Sequence, residues 1–218
     1  MPVSTQKLSK QYDLWSKFYD HTFKPLFIER QRRAIEELRL RPGDRVLDLG
    51  VGTGMTLELY PPGVRVVGLD LSAGMLEQAR KKVVPGSEQT VCLVQADALH
   101  PPFADGSFDH VLISHVISVV PDAVKLLEWS ARLTRPGGRV VVINHFQSSR
   151  RPVAALEKLL NPLCLKLGWR SDLVLADVLE RSPLELAYQF KTKAVDLWQI
   201  AVLMHRSGCA MPLPAGAA

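Results

Sequence analysis

Five short runs of apolar and β-branched residues, separated by helical stretches, constrain this chain more than any other feature. They are RVLDL (45–49), RVVGLD (65–70), TVCLVQAD (90–97), FDHVLIS (108–114) and GRVVVINHF (138–146). Runs with so few polar positions suit strands covered on both faces, as in a parallel sheet. Between them SAGMLEQARKKV (72–83) and PDAVKLLEWSARLT (121–134) read as helices, the second stopped by Pro136-Gly137-Gly138. This alternation predicts an α/β, doubly wound sheet. The end of the chain breaks the pattern. LELAYQFKTK (184–193) and DLWQIAVLMHR (196–206) are strands nearly back to back, which predicts an antiparallel hairpin, and the tail at 209–218 is expected to be disordered.

With 218 residues, 47% of them hydrophobic, the chain can bury one sizeable core and carry appendages. The opening MPVSTQKLSK has no apolar h-region, and the most apolar stretch, VLISHVISVV (111–120), is short for a bilayer and holds a histidine. Cys92, Cys164 and Cys209 have neither metal-type nor redox spacing, so a reducing, cytoplasmic setting and no metal are expected.

The net charge of +5 is unevenly spread. Residues 1–33 hold seven basic groups against three acidic ones, and residues 147–170 hold five against Glu157 alone, so the remainder of the chain is mildly acidic. Two basic segments flanking an acidic core favour a polyanionic surface as partner, either nucleic acid or anionic lipid.

The densest chemistry follows the first strand, in Asp48-Leu-Gly-Val-Gly-Thr-Gly. A dinucleotide fingerprint needs its third glycine at position 55, which is Met; here it comes early, at Gly54. An acid ahead of a G-x-G-x-G loop suits a ligand carrying an ammonium group rather than a pyrophosphate. Asp70 ends the second strand, where a carboxylate can take both ribose hydroxyls, and Asp97-Ala98 ends the third, at the height of an adenine edge. Three acids at the carboxyl ends of three neighbouring strands form a functional constellation.

Asp48–Gly54, Asp70, DALHPPFADGSFDHV (97–111) and RPGGRVVV (135–142) resemble the motifs of class I S-adenosylmethionine-dependent methyltransferases, nearest the group with the quinone-biosynthesis enzymes. The resemblance covers about residues 44–146 and implies a Rossmann-like, seven-stranded, mostly parallel sheet with an antiparallel last strand. It implies S-adenosyl-L-methionine as cofactor and S-adenosyl-L-homocysteine as product. Gly50, Gly52 and Gly54 would then shape the cofactor loop, with Asp48 at the methionine end, Asp70 on ribose and Asp97 on the adenine amine. Leu71, Met75, Ala98 and Ser114 would complete the cofactor contacts.

Leu8, Tyr12, Trp15, Tyr19, Phe23 and Leu26 fall at three- and four-residue spacing, with Lys10, Lys17 and Lys24 on the opposite face. Such a helix either packs its stripe on the domain or lies in a lipid interface. A second basic amphipathic segment, SSRRPVAALEKLLNPLCLKLGWR (148–170), interrupts the core between the fifth and sixth strands. An anionic bilayer would attract both, at about 1 kcal/mol per basic residue near its surface.

YDLWSKFYD at the front, INHFQSSRRP after strand five and the LGWR segment are similar to the small bacterial phospholipid N-methyltransferases, which convert phosphatidylethanolamine stepwise to phosphatidylcholine. That resemblance implies a phospholipid substrate, a peripheral position on the inner face of the cell membrane, and neither nucleic acid nor an obligate protein partner. Residues 1–40 become a lid and membrane-contact segment, 41–208 the methyltransferase domain with a helical insertion at about 148–180. Tyr19 would cover the cofactor and face the amine, with Tyr12, Trp15, Arg150 and Arg151 toward the lipid. His115 and His145 follow strands four and five; one is expected to accept the amine proton and the other to bind the lipid phosphate, and the sequence does not say which. A quinone or other small-molecule methyltransferase shares the core but leaves the two basic segments without a use. A base-amine RNA methyltransferase would carry Asn-Pro-Pro-aromatic where this chain has Ser-His. A membrane protein that only binds the cofactor is a further alternative.

Overall fold

The computed structural model describes residues 27–86, 88–148, 170–193 and 196–206, together with scattered helical positions between 153 and 164. Seven strands form one sheet: β1 (Arg45–Leu49), β2 (Arg65–Asp70), β3 (Thr90–Gln95), β4 (Phe108–Ser114), β5 (Thr134–His145), β6 (Leu184–Phe190) and β7 (Trp198–His205). Their order is β3-β2-β1-β4-β5-β7-β6. The first five run parallel, and β7 is antiparallel to both β5 and β6. This is the mostly parallel sheet with an antiparallel last strand that the sequence predicts.

The helices are α1 (residues 27–38), α2 (Ala73–Arg80), α3 (Ala123–Leu133), α4 (within 153–164) and α5 (Leu175–Glu180). Strand alternation divides the core between the two faces of the sheet. Leu47, Leu49, Val111, Ile113, Val140 and Val142 face α3 and α5, while Val46, Leu112, Val141 and Ile143 face α1 and α2. Leu47 and Leu112 are fully buried, and truncating either to Ala would cost about 2–5 kcal/mol. Ser72 and Asp122 cap α2 and α3 by accepting from the amides of Met75 and Lys125, each cap worth about 1 kcal/mol.

α1 buries Phe27, Gln31, Ala34, Ile35 and Leu38, the spacing of one helix face. Its outer end is tied to the terminal hairpin. The Arg30 guanidinium grips the Asp196 carboxylate at 2.6–3.0 Å and lies over the Trp198 ring. Asp196 also accepts from Thr192 Oγ1 and the Trp198 amide. Burial alone would raise the Asp196 carboxyl, but these donors and the Arg30 charge hold it below the usual carboxylate range. Among the described residues no helix is long and apolar enough to cross a membrane.

Candidate active site

The order β3-β2-β1-β4 places Asp97, Asp70, Asp48 and Ser114 in a row along the carboxyl edge of the sheet. In open α/β sheets this edge is where ligands bind. A partly open pocket lies there, walled by all four residues together with Gly50, Gly52, Leu71, Met75, Ala98 and His115. Ten of the residues expected at the site thus meet around one cavity.

The loop after β1 is built for close approach. Gly50 has φ +83°, donates its amide to the Leu69 carbonyl at 2.7 Å, and a Cβ there would stand 2.0 Å from Val116 Cγ2. Gly52 donates its amide to Asp70 Oδ2 at 2.9 Å, and Ser72 donates to Oδ1 at 2.8 Å, so backbone amides orient the Asp70 carboxylate. Gly54 differs: it is not a wall of the pocket, because its Cα faces Leu57 and Ala79 of the packing between loop and helix. Its contribution is to the loop's path. Asp97 is oriented by the Leu99 amide at 2.8 Å.

Asp48 is fully buried. Thr56 Oγ1 and Tyr60 Oη donate to its Oδ2 at 2.6 and 3.0 Å, while Oδ1 has no hydrogen-bond partner. Burial pushes this carboxyl up to about 6, against the pull of those two donors. A desolvated carboxylate with one oxygen unanswered is complementary to an ammonium group. Together with the amide-oriented acids Asp70 and Asp97, these groups fit a ligand such as S-adenosylmethionine, which carries an ammonium group and ribose hydroxyls.

At the end of β4 the chain turns sharply. His115 adopts φ +61°, left-handed backbone rarely taken by a residue other than glycine, and its amide donates to the Ile143 carbonyl. The imidazole packs against Phe27 of α1, ring centroids 4.1 Å apart and planes tilted by 32°. Its Nε2 is buried without a hydrogen-bond partner among the described residues. Burial, with the Arg30 charge, lowers its pKa to about 3, so the ring is neutral across the physiological range. That makes it a weak base and a good neutral hydrogen-bonding partner.

Gln31 joins the site without having been foreseen. It is 3% exposed, lines the pocket, and donates Nε2 to Ser114 Oγ at 3.4 Å, while its Oε1 has no partner. The available signal was a polar residue on the otherwise apolar face of α1. His145 is placed elsewhere. Its Nδ1 meets the Leu197 carbonyl at 2.9 Å and its Nε2 meets Glu157 of α4 at 3.3 Å, which commits the ring to joining β5, α4 and the hairpin loop rather than the pocket wall. Tyr12, Trp15, Tyr19, Arg150 and Arg151 lie outside the described residues.

Comparison with known proteins agrees with this geometry. The family model described as "Methyltransferase domain" matches residues 47–142. A phosphatidylethanolamine N-methyltransferase of Cereibacter sphaeroides is 39% identical over 183 residues, 84% of this chain and 89% of that protein. A demethylmenaquinone methyltransferase of Mycobacterium sp. (strain KMS) is 40% identical over 157 residues, 70% of this chain and 65% of that protein. A solved S-adenosylmethionine-dependent methyltransferase of Methanosarcina mazei superposes with a TM-score of 0.60 at 18% identity, covering 78% of this chain and 94% of its own, a likeness of fold. Likenesses of this extent accompany a glycine loop and three acids at the carboxyl edge of the sheet, and the chain belongs to the class I S-adenosylmethionine-dependent methyltransferases.

Proposed function

We propose that the chain methylates the amine of phosphatidylethanolamine, then its mono- and dimethyl derivatives, giving phosphatidylcholine. The observation that carries this reading is the extent of the likeness to the Cereibacter phosphatidylethanolamine N-methyltransferase, which takes in most of both chains. The quinone methyltransferase relative is matched over a smaller share of each chain. The two basic amphipathic segments support the same reading, since a small dissolved acceptor has no use for them.

S-adenosylmethionine, when bound, supplies a methyl group made electrophilic by its sulfonium. Asp48, Asp70 and Asp97 would hold that molecule. His115 and Gln31 wall the methionine end with neutral polar atoms, in keeping with an acceptor that must arrive as a free amine. An ammonium ion entering a desolvated pocket beside a sulfonium is penalised and sheds its proton to water, because none of the neutral groups there favours the cation. Alignment and the exclusion of water then carry most of the rate.

Residues 1–26 and 148–170 anchor the enzyme on the cytoplasmic face of the membrane, with Tyr12, Trp15, Arg150 and Arg151 toward the lipid and Tyr19 over the cofactor. Lipid mass spectrometry after incubation with S-adenosylmethionine and phosphatidylethanolamine vesicles, with and without anionic lipid, tests the whole proposal. Headgroups heavier by one, two and three methyls are expected. No lipid product from protein that binds S-adenosylhomocysteine would return quinones and other small acceptors to the front. Deleting residues 1–24 should abolish vesicle flotation; unchanged flotation and activity would remove the membrane role from that segment.

A further inference from the structure

Three polar atoms on the pocket wall are buried and, among the described residues, unanswered: Asp48 Oδ1, Gln31 Oε1 and His115 Nε2. A native fold leaves few such atoms without a reason, since each costs about 1–3 kcal/mol when nothing meets it. Asp48 is the carboxyl group of the three and stands near the end of β1, just before the glycine loop, where the cofactor's own ammonium would belong. The other two line the same pocket from α1 and from the turn after β4. Gln31 is anchored to Ser114, and His115 is the next residue in the chain. Neither is charged: the amide cannot be, and the imidazole is packed against the Phe27 and Trp198 rings, where burial and the Arg30 charge keep it neutral.

We propose that Gln31 Oε1 receives an N–H of the amine being methylated, with His115 Nε2 beside the same nitrogen, so that Gln31 orients the amine lone pair toward the methyl group. The proposal rests on the amine-lipid reading above and adds a residue that selects among its steps. A carboxylate in this position would hold the acceptor as unreactive ammonium, whereas a carbonyl oxygen takes one N–H of the neutral amine and leaves the lone pair available. In each step the nitrogen lone pair forms the new N–C bond as the S–C bond breaks. The sulfur keeps that electron pair, and the resulting ammonium loses a proton to water before the next round. The third acceptor has no N–H when neutral. Gln31 therefore assists the first two methylations and contributes nothing to the third.

The test uses the full-length protein and vesicles containing phosphatidylethanolamine, its monomethyl derivative or its dimethyl derivative. Gln31→Met should lower kcat/KM about tenfold for the first two, as expected for one lost hydrogen bond with its partner left unpaired, and leave the third within about threefold of wild type. Its affinity for S-adenosylhomocysteine, measured by calorimetry, should be nearly unchanged. An equal loss at all three steps, or lost cofactor affinity in a variant that melts like wild type, overturns the assignment and places Gln31 on the cofactor. A wild-type measurement stands independently of how the variant folds. With S-adenosylhomocysteine present, the Gln31 side-chain amide resonance should shift with the primary and secondary amine lipids and stay still with the tertiary one; equal shifts with all three also overturn it. Wild-type protein that methylates none of the three amines fails differently, and takes the amine-lipid reading down as well.

Discussion

Gly50 and Val116 touch across the mouth of the pocket, so closely that any side chain at position 50 would collide with the valine methyl at 2.0 Å. The loop after β1 and the turn after β4 are therefore one packed unit. Gly50→Ala meets both this clash and a φ of +83°, where the backbone alone costs about 1–2 kcal/mol for an L-residue. Its expected outcome is loss of S-adenosylhomocysteine binding by calorimetry. The double variant Gly50→Ala/Val116→Ala should regain part of that affinity, since it removes the collision and keeps the backbone strain.

Asp48 places the cofactor's needs against those of the fold. Its carboxyl, at about 6 rather than 3.8, holds its proton more tightly folded than unfolded. Ionisation therefore destabilises the ligand-free protein increasingly from about pH 4 to pH 6, by about 3 kcal/mol in full at 1.36 kcal/mol per pH unit. Asp48→Asn should melt higher than wild type at pH 7.5, by about 2–4 °C for each kcal/mol recovered, with the gain shrinking toward pH 5. The same variant should bind S-adenosylhomocysteine about tenfold or more weakly, as for a lost charged hydrogen bond. Wild-type affinity should fall as pH drops through 6, and the Asn variant's should not.

His115 is separable into backbone and ring. Asn tolerates left-handed backbone better than most residues, so His115→Asn keeps the turn and removes the imidazole. It should lose about tenfold in kcat/KM, as for one lost hydrogen bond at the reacting nitrogen. Linkage adds a second readout. A histidine whose folded pKa is about 3 must shed its proton to fold, so its neutral burial lowers stability as pH falls from 6.5 toward 3. Wild type should thus weaken over that window more steeply than the Asn variant.

The Arg30–Asp196 pair has the opposite sign of pH dependence from Asp48. With its carboxyl held below the usual range, its contribution is complete above pH 4 and is lost as pH falls through the folded value. Arg30→Met leaves the Asp196 side chain, which is 0% exposed, without its main partner. A loss of about 2–4 kcal/mol in urea unfolding is expected, and Arg30→Met/Asp196→Asn should recover part of it.

The sheet was legible because buried strands announce themselves locally. RVLDL, RVVGLD and FDHVLIS coincide with β1, β2 and β4 residue for residue. The glycine loop and the acids at Asp48, Asp70 and Asp97 were legible for the same reason, each following directly from a strand end. Gln31 was not. Its partner Ser114 lies 83 residues away, and a lone polar residue on an apolar helix face does not say what it meets. His145 stands at a strand end as His115 does, yet Glu157 and the Leu197 carbonyl hold it away from the pocket wall. Nothing in the spacing of the two histidines foretells which is diverted.

The grip of Asp196 on Arg30 joins points 166 residues apart. Gln31, the next residue on α1, completes the pocket only where that helix is held in place. A nascent polypeptide that has emerged from the ribosome as far as β5 would carry every cofactor acid and the glycine loop, yet lack the brace for the wall across from them. A chain cut short before Asp196 would keep those acids and the glycine loop in its sequence and lose the partner that Arg30 of α1 grips.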